Sequence, residues 1–270
     1  MEIERMYSEF LDSKNDDYKE KYKGLEKWFS ASSAGSCYKK HMFKVTEAPQ
    51  KEMEARSQRI MRLGTLVHKD FEDAVKYYIK NKTYANSTPV SGKPTIFYTD
   101  DHKFYIEHRI KIPEYNVLGH LDFAVFTKSS NRIVVYDYKT SASYKWRLKF
   151  GRIQNRDKNP SFNYEMQLST YLLGMEQELD LQPEHKEMSI IWYNKDTSRM
   201  REERIRLSYV DMAHNYWQEL NEIRDDIKSN NDAELTDYEN VNQTLSRHRE
   251  MGVPFQDWEC KYCPYEHICR

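Results

Sequence analysis

The spacing of apolar residues changes between residues 57 and 139, and this change constrains the fold more than any other feature of the sequence. In residues 57–80 apolar side chains recur every three or four positions, which predicts an amphipathic helix. In residues 104–112 they alternate with polar side chains, which is typical of a half-buried strand. A helix is therefore expected to precede a sheet. The apolar face of this helix comprises Ile60, Leu63, Val67, Phe71 and Val75.

The remaining segments complete an alternation of helices and strands. Residues 117–126 are expected to return beside residues 104–112 as a hairpin, and residues 132–139 are apolar and β-branched enough for a central strand. The order predicts an α/β fold with a mixed central β-sheet flanked by helices. Further helices are predicted at 161–178 and 210–227, further strands at 188–193 and 204–207, and a turn-rich stretch at 86–94.

The overall charge excludes a generally basic nucleic-acid-binding protein. The chain has 42 basic and 43 acidic residues and a net charge of -1, so an anionic ligand must meet a local basic patch. No apolar run approaches the roughly 18 residues that a membrane helix needs. The first residues also lack the layout of a signal peptide. We expect a soluble, cytoplasmic protein with no membrane partner.

An acid and a lysine end the predicted central strand. Because side chains alternate along a strand, Asp137 and Lys139 are expected on the same face. If the neighbouring strand pairs as predicted, Asp122 can converge on Asp137, and a divalent cation would offset the repulsion of two carboxylates. Mg²⁺ or Mn²⁺ suits oxygen ligands, and His68 can add a nitrogen in the Mn²⁺ case. Such a site suits phosphodiester hydrolysis. The alternative is a surface ion pair, with an ordinary turn cap and a packed histidine.

Two polar residues share one face of the helix predicted at 161–178. Gln167 and Tyr171 are four residues apart, so both can reach the same site. The alternative is an ordinary amphipathic helix whose core face is Leu168, Leu172 and Met175.

Four cysteines form a sulfur-rich set of candidate ligands. Cys260 and Cys263 form a C-x-x-C motif, Cys269 follows closely, and Cys37 lies far upstream. Four thiolates suit a [4Fe–4S] cluster, and sulfur ligands also suit zinc. A local zinc site in which His267 replaces Cys37 is a further alternative.

The motifs in their order resemble the RecB-like branch of the PD-(D/E)XK nuclease superfamily. The matching segments are Gly64-x-x-x-His68, Gly119-x-x-Asp122, Asp137-Tyr138-Lys139-Thr140 and Gln167-x-x-x-Tyr171. The resemblance implies a restriction-endonuclease-like core. It also implies a metal held by His68, Asp122, Asp137 and the backbone carbonyl of Tyr138, with Lys139 as the catalytic lysine. Gln167 and Tyr171 are implied members of the same catalytic site.

The cysteine spacing resembles the iron–sulfur members of that branch, among them the fourth CRISPR-associated protein, the AddB nuclease domain and related phage exonucleases. It implies a structural [4Fe–4S] cluster that joins the N- and C-terminal segments through Cys37, Cys260, Cys263 and Cys269. We therefore expect one nuclease domain over residues 1–270. Its catalytic core is expected at 57–208, with helical and cluster-binding elements at 1–56 and 209–270.

A basic, aromatic segment follows the predicted active-site strand. Its cations can bind phosphates and its rings can stack on unpaired bases, although a solvated amphipathic element is the alternative. Its candidate DNA-binding residues are Tyr144, Lys145, Trp146, Arg147, Lys149 and Arg152.

The function expected from these features is a divalent-metal-dependent DNA nuclease. An exonuclease that acts on single-stranded DNA or on DNA ends is favoured. The alternatives are a CRISPR spacer-adaptation nuclease and a non-cleaving DNA-binding module held together by Fe–S or zinc. Replication, recombination or CRISPR adaptation proteins are the corresponding partners.

Overall fold

The computed structural model describes residues 2–21, 24, 27–83, 88–90, 93–151, 161–179, 183–229, 235–245 and 258–269. Its helices are α1 (Glu2–Lys21), α2 (Tyr38–Val45), α3 (Ala55–Tyr78), α4 (Ser143–Phe150), α5 (Phe162–Glu178), α6 (Ser208–Ser229), α7 (Asp237–Thr244) and α8 (Trp258–Lys261). Its strands are β1 (Phe29–Ser30), β2 (Thr88–Val90), β3 (Lys93–Tyr98), β4 (His102–Ile112), β5 (Val117–Thr127), β6 (Arg132–Ser141), β7 (His185–Asn194) and β8 (Met200–Ile205).

A single mixed sheet organises the described strands in the order β2-β3-β4-β5-β6-β7-β8, and β1 pairs with β5 outside this order. The pairing of β6 with β7 is parallel, and the other pairings in this order are antiparallel. Strand β6 lies between β5 and β7, so both of its edges are paired, and Ile133 and Val135 are fully buried. The predicted α/β fold with a mixed central sheet flanked by helices is confirmed.

Helices α3 and α5 cover opposite faces of this sheet. On β6, Tyr138 stacks on Phe71 of α3, whereas its neighbour Asp137 faces Gln167 of α5. Gly174 lets α5 approach β4 closely, since a Cβ there would lie 1.9 Å from Ile110 Cγ2. We call these two sides of the sheet the α3 face and the α5 face.

Two segments differ from the sequence prediction. The turn-rich stretch at 86–94 contains strand β2 and the start of β3, because β3 pairs with the edge of β4 and β2 extends that pairing. The predicted apolar face of α3 is only partly used. Ile60 and Leu63 are 51% and 47% exposed, whereas Val75 packs against buried Phe104 and Ile106 of β4.

The chain divides into two compact units. The sheet unit comprises Ser30–Gly35 and Gly64–Trp217, and the terminal unit comprises Met1–Phe29, Ser36–Leu63 and Gln218–Arg270. The terminal unit therefore combines segments from both ends of the chain. Within the described residues, no helix has the length and apolar character needed to cross a membrane.

Contacts within the terminal unit bring distant segments together. The Tyr38 hydroxyl donates to Glu219 at 2.7 Å, and the Phe43 ring packs on Tyr265 with ring centres 5.5 Å apart. The backbone N–H of Lys51 donates to the Pro264 carbonyl at 2.8 Å. The first contact holds α2 against α6, and the other two hold α2 and the loop after it against the cysteine-containing segment 258–269.

Candidate active site

The central strand β6 presents an acid and a lysine to the α5 face. Asp137 is fully buried, and Lys139 Nζ lies 2.5 Å from Asp137 Oδ2 with a side chain that is 12% exposed. Gln167 Nε2 is 3.4 Å from Asp137 Oδ1. The Lys139 ammonium also lies 5.1 Å from the centre of the Tyr164 ring, at cation–π distance. The pair is therefore held between a buried strand and the first turns of α5.

Strands β5 and β6 separate where the two acids lie. Their paired positions end at Phe123 and Tyr136, so Asp122 and Asp137 are the next opposing positions. Here Asp122 Oδ2 accepts the backbone N–H of Tyr138 at 2.6 Å. A side-chain carboxylate thus takes the place of a ladder hydrogen bond, and the strands open around the two acids.

Helix α3 brings His68 to the opening from the other face. A Cβ on Gly64 would lie 3.4 Å from Thr140 Oγ1, so this glycine allows the helix to lie close to β6. One turn later, His68 Nδ1 is 3.6 Å from Asp122 Oδ2. The motif Gly64-x-x-x-His68 therefore combines a close helix–strand approach with a side chain that reaches the acid.

Helix α5 supplies the two polar residues that the sequence placed on one helix face. The Gln167 amide donates to the Tyr171 hydroxyl at 2.7 Å. Both residues are buried, and Leu168, Leu172 and Met175 are fully buried on the same helix. Gln167 thus links Tyr171 to Asp137, while Leu168, Leu172 and Met175 form the core face that an ordinary amphipathic helix would also have.

Burial and neighbouring charges determine the ionisation of the site. Burial, aided by the charge of Asp122, raises the pKa of Asp137 despite the opposing effect of Lys139. Burial also acts to raise the pKa of Asp122, but the nearby His68 and the charge of Lys139 lower it overall. Burial acts to lower the pKa of Lys139, and the two carboxylates raise it above its ordinary value. A cation is therefore favoured beside these acids.

The donor atoms are neighbours in pairs and do not form a preassembled cage. In the described part of the chain, no three His, Cys, Asp or Glu side chains are grouped so as to hold a metal ion. Asp137 Oδ2 is nevertheless buried, and the Lys139 ammonium forms an ion pair with it at 2.5 Å. A buried carboxylate oxygen with spare acceptor capacity fits a hard cation.

Glu107 of β4 is a site residue that the sequence reasoning missed. The pairs Ile106–Phe123 and His108–Leu121 place it opposite Asp122. Its φ of +48° is rare for glutamate and interrupts the strand. Burial, together with the charges of Asp122 and Glu72, raises its pKa to about 7. Because side chains alternate along a strand, the sequence predicted that Glu107 lies on the polar, outward face of β4. Nothing in the sequence indicates the positive φ at this residue.

The predicted DNA-binding segment forms helix α4, and its residues differ in their surroundings. Tyr144 is 67% exposed and Arg147 is exposed, whereas Trp146 packs on Phe150 with ring centres 4.9 Å apart. Lys145 donates to the Tyr164 hydroxyl at 2.9 Å and lies over its ring. Arg152 lies outside the described residues.

Lys149 is bound inside an ion-pair network. Its ammonium lies 3.0 Å from Glu165 and 3.0 Å from Glu203 and donates to Ser161. Its side chain is only 12% exposed. This cation is already neutralised within the protein, and its contact with DNA stays a prediction.

The cysteines lie in the terminal unit, and the segment contacts described above bring Cys37 near the C-terminal cysteines. Burial raises the pKa of the Cys37 thiol, the backbone N–H groups of Lys40 and Lys39 oppose this, and Cys269 and Cys263 add to it. Burial likewise raises the pKa of Cys263, which interacts with Cys269 and Cys260. Cys37 is thus an electrostatic neighbour of Cys263 and Cys269, although no three described His, Cys, Asp or Glu side chains are grouped as metal ligands.

Comparison with known proteins identifies the family. The sequence profile of the PD-(D/E)XK nuclease superfamily matches residues 30–270. The chain belongs to the PD-(D/E)XK nuclease superfamily. Membership indicates a nuclease that acts on DNA. Nucleases of this superfamily usually use Mg²⁺ or Mn²⁺. The superfamily resemblance of the motifs is confirmed, while the RecB-like branch and the iron–sulfur type stay predictions.

Other comparisons add little to this assignment. A solved structure described as "Crystal structure of SSO0001" is 16% identical and aligns with 97% of this chain and 96% of its own, with a TM-score of 0.48. A search of curated proteins gives no match.

Gly119, in the motif Gly119-x-x-Asp122, packs closely against Tyr171 in this PD-(D/E)XK chain, and this packing can be tested by substitution. A Cβ on Gly119 would lie 2.7 Å from Ala31 Cβ and 2.8 Å from Tyr171 Cε1. We expect Gly119→Ala to displace the tyrosine ring and to lower the free energy of unfolding by about 1–3 kcal/mol, measured by urea denaturation. The control is Gly64→Ala, because a Cβ there would lie 3.4 Å from Thr140 Oγ1, an ordinary contact distance. This variant should lose less stability than Gly119→Ala. Equal stability of the two variants would contradict this packing.

The Lys149 network predicts a stability effect. Lys149→Met keeps the aliphatic stem but leaves the buried Glu165 with one less partner, and we expect unfolding to become easier by about 3 kcal/mol. Lys145→Met is the control, with an expected loss of less than about 1 kcal/mol because its partner is the neutral Tyr164 side chain and not a buried carboxylate. Urea denaturation of both variants measures the difference. A small effect at Lys149 would show that the network does not stabilise the fold.

Proposed function

We propose that the chain is a divalent-metal-dependent deoxyribonuclease that acts as an exonuclease on single-stranded DNA or on DNA ends. The observation that carries the proposal is the fully buried Asp137 carboxylate, which forms an ion pair with Lys139 where β5 and β6 separate beside Asp122. Membership of the PD-(D/E)XK superfamily supports the hydrolysis of phosphodiester bonds.

The proposed metal ligands are His68, Asp122, Asp137 and the backbone carbonyl of Tyr138. When bound there, Mg²⁺ or Mn²⁺ supplies activation of a water molecule and charge stabilisation at a phosphoryl oxygen. Geometry supports this choice of ligands. Asp122 contacts both His68 and the Tyr138 amide, and Asp137 lies opposite Asp122 just beyond the last paired positions of β5 and β6. Oxygen ligands with one imidazole suit these ions.

The remaining site residues act on water, protons and charge. Lys139 is a buried ammonium beside Asp137, where it can orient the attacking water or offset the charge that develops on the phosphoryl group. Gln167 donates to Tyr171 and reaches Asp137, so the two helix residues keep that carboxylate oriented. In this scheme Gln167 and Tyr171 are positioning residues, and Lys139 and the two acids touch the reacting groups.

The preference for single strands or ends has support from α4. This helix directly follows β6, and the exposed Tyr144 ring offers a stacking surface beside the exposed Arg147. Aromatic rings beside cations suit unpaired bases and bind them with little sequence preference. We propose that Tyr144, Lys145, Trp146, Arg147 and Arg152 contact the substrate and that Lys149 supports them from within the fold.

A [4Fe–4S] cluster held by Cys37, Cys260, Cys263 and Cys269 is proposed for the terminal unit. Cys37 interacts with Cys263 and Cys269, and Cys263 interacts with Cys260 and Cys269; this proximity suits such a cluster, and zinc is the alternative metal. A cluster there would cross-link segments more than 220 positions apart and would restrict the unfolded ensemble. Its proposed role is structural.

We further propose that residues 1–270 work as one nuclease domain in the cytoplasm, with 57–208 as its catalytic core. Proteins of replication, recombination or CRISPR adaptation are the proposed partners. The division into a sheet unit and a terminal unit is compatible with a core that carries the chemistry and flanking segments that carry the cysteines.

The nuclease proposal is tested by removing one charge at a time. Asp137→Asn and Lys139→Met should each lower Mn²⁺-dependent cleavage of an end-labelled oligonucleotide by at least about 100-fold. Asp137→Asn should also weaken Mn²⁺ binding measured by calorimetry. The controls are Asp101→Asn and Lys128→Met, in the turns at the other end of these strands. Wild-type cleavage rates in folded Asp137→Asn protein would refute the proposal.

The two cysteine arrangements predict opposite effects of two substitutions. With the four-cysteine cluster, anaerobically purified Cys37→Ser should lose iron and visible absorption, and His267→Ala should retain both. With the local zinc site, Cys37→Ser should keep its metal and His267→Ala should lose it. Elemental analysis with an absorption spectrum decides between them. Wild-type protein without iron would rule out the cluster.

A further inference from the structure

The half-buried residue Tyr164, in the first turn of α5, lies beside the candidate catalytic lysine. Lys139 Nζ is 5.1 Å from the centre of the Tyr164 ring. Lys139 and Trp192 are cross-strand partners in the parallel pair of β6 and β7, so their side chains point to the same face of the sheet. The Trp192 ring in turn packs on Tyr164, with ring centres 5.8 Å apart. The lysine and the two rings therefore meet on the α5 face.

The surroundings of the Tyr164 ring fix its position. Trp192 is fully buried, and its ring N–H donates to the Glu203 carboxylate at 2.9 Å. The backbone N–H of Tyr164 donates to the Ser161 carbonyl at 2.8 Å, at the start of α5. A tyrosine side chain has only two rotatable bonds before its hydroxyl, so little freedom remains once one side of the ring is packed. The ring is a rigid surface next to a flexible lysine.

The Lys139 ammonium needs such a surface because its stem is long and flexible. Its ion pair with Asp137, at 2.5 Å, is one restraint. In the proposed site the Asp137 carboxylate is shared with a metal ion, which repels the ammonium. The face of an aromatic ring attracts a cation without carrying a net charge. An aromatic ring can therefore hold the lysine without competing with it for the carboxylate.

A second lysine contacts the same ring and shows that it is a surface for cations. Lys145 Nζ, from α4, is 4.1 Å from the centre of the Tyr164 ring and donates to the Tyr164 hydroxyl at 2.9 Å. The hydroxyl is thus the acceptor for Lys145, whereas Lys139 lies over the ring. Removing the hydroxyl alone separates these two contacts.

We propose that Tyr164 is a positioning residue that holds the Lys139 ammonium beside Asp137 through a cation–π contact. The inference rests on the proposed function and deepens it, since it names what orients the lysine of that site. Tyr164, Gln167 and Tyr171 are spaced three and four residues apart and share one face of α5. Gln167 contacts the carboxylate and Tyr164 contacts the ammonium, so one helix face orients both members of the pair.

The test changes the electrons of the ring while keeping its shape. Tyr164→Phe keeps the negative face of the ring, and pentafluorophenylalanine at the same position removes it. The first measurement uses metal-free, full-length protein with ¹³C at the lysine ε-carbons, and NMR relaxation gives the order parameter of Lys139. Lys139→Met identifies its signal. The order parameter should stay at the wild-type value in Tyr164→Phe and fall with the fluorinated ring.

The second measurement is the single-turnover rate of Mn²⁺-dependent cleavage with protein in excess over the oligonucleotide. The rate should fall about tenfold with the fluorinated ring and stay within about twofold of wild type in Tyr164→Phe. The matched control places the fluorinated ring at Phe162, in the same turn of α5, whose ring lies 6.3 Å from that of Tyr209. This control should keep the wild-type order parameter and rate.

The two measurements separate this role of Tyr164 from the nuclease proposal. An unchanged order parameter with the fluorinated ring at position 164 overturns the role, whether or not the protein cleaves DNA. An equal fall in the Phe162 control overturns it too, because the loosening would then be general. If the wild type cleaves, an unchanged rate also overturns it. Wild-type protein that never cleaves refutes the nuclease proposal alone, and the order parameter then decides the role of Tyr164.

Folding is checked for every variant by circular dichroism. Tyr164→Leu, which removes the aromatic face altogether, replaces a fluorinated variant that does not fold, and the same fall in order parameter and rate is expected from it.

Discussion

The hydrogen bond from the Tyr138 backbone N–H to Asp122 is the interaction on which the candidate site depends. It uses a carboxylate where an antiparallel ladder would use a carbonyl, so β5 and β6 can separate without leaving that amide unpaired. The separation creates room for polar groups at the centre of an otherwise apolar sheet. Helix α3 then reaches Asp122 from one side, and α5 reaches Asp137 from the other.

Burial makes this arrangement electrostatically demanding. Two carboxylates and an ammonium lie within or close to the core, where unpaired charges are costly. Lys139 offsets one of the two negative charges, and His68 interacts with the other. The two carboxylates have more acceptor oxygens than these two partners use. This excess distinguishes a site that suits a cation from an internal ion pair in which each charge is matched.

The sequence predicted the parts of the fold that rest on local patterns. The main strands and the long helices follow from periodicity, and the direction of Asp137 and Lys139 follows from alternation on β6. Features that depend on tertiary contacts were not predictable. Strands β2 and β3 exist because β4 offers an edge, and Lys149 is neutralised by acids from α5 and β8 that are distant in sequence. The positive φ of Glu107 has no local signal at all.

The composition of the terminal unit has a consequence for the order of events during synthesis. Almost all of the sheet unit is one continuous segment, Gly64–Trp217, and it can assemble as soon as that segment has left the ribosome. Helices α1 and α2 are made before that segment, yet their unit is complete only once residues 218–270 have also been made. These two helices therefore precede the sheet unit in translation and follow it in reaching their final surroundings.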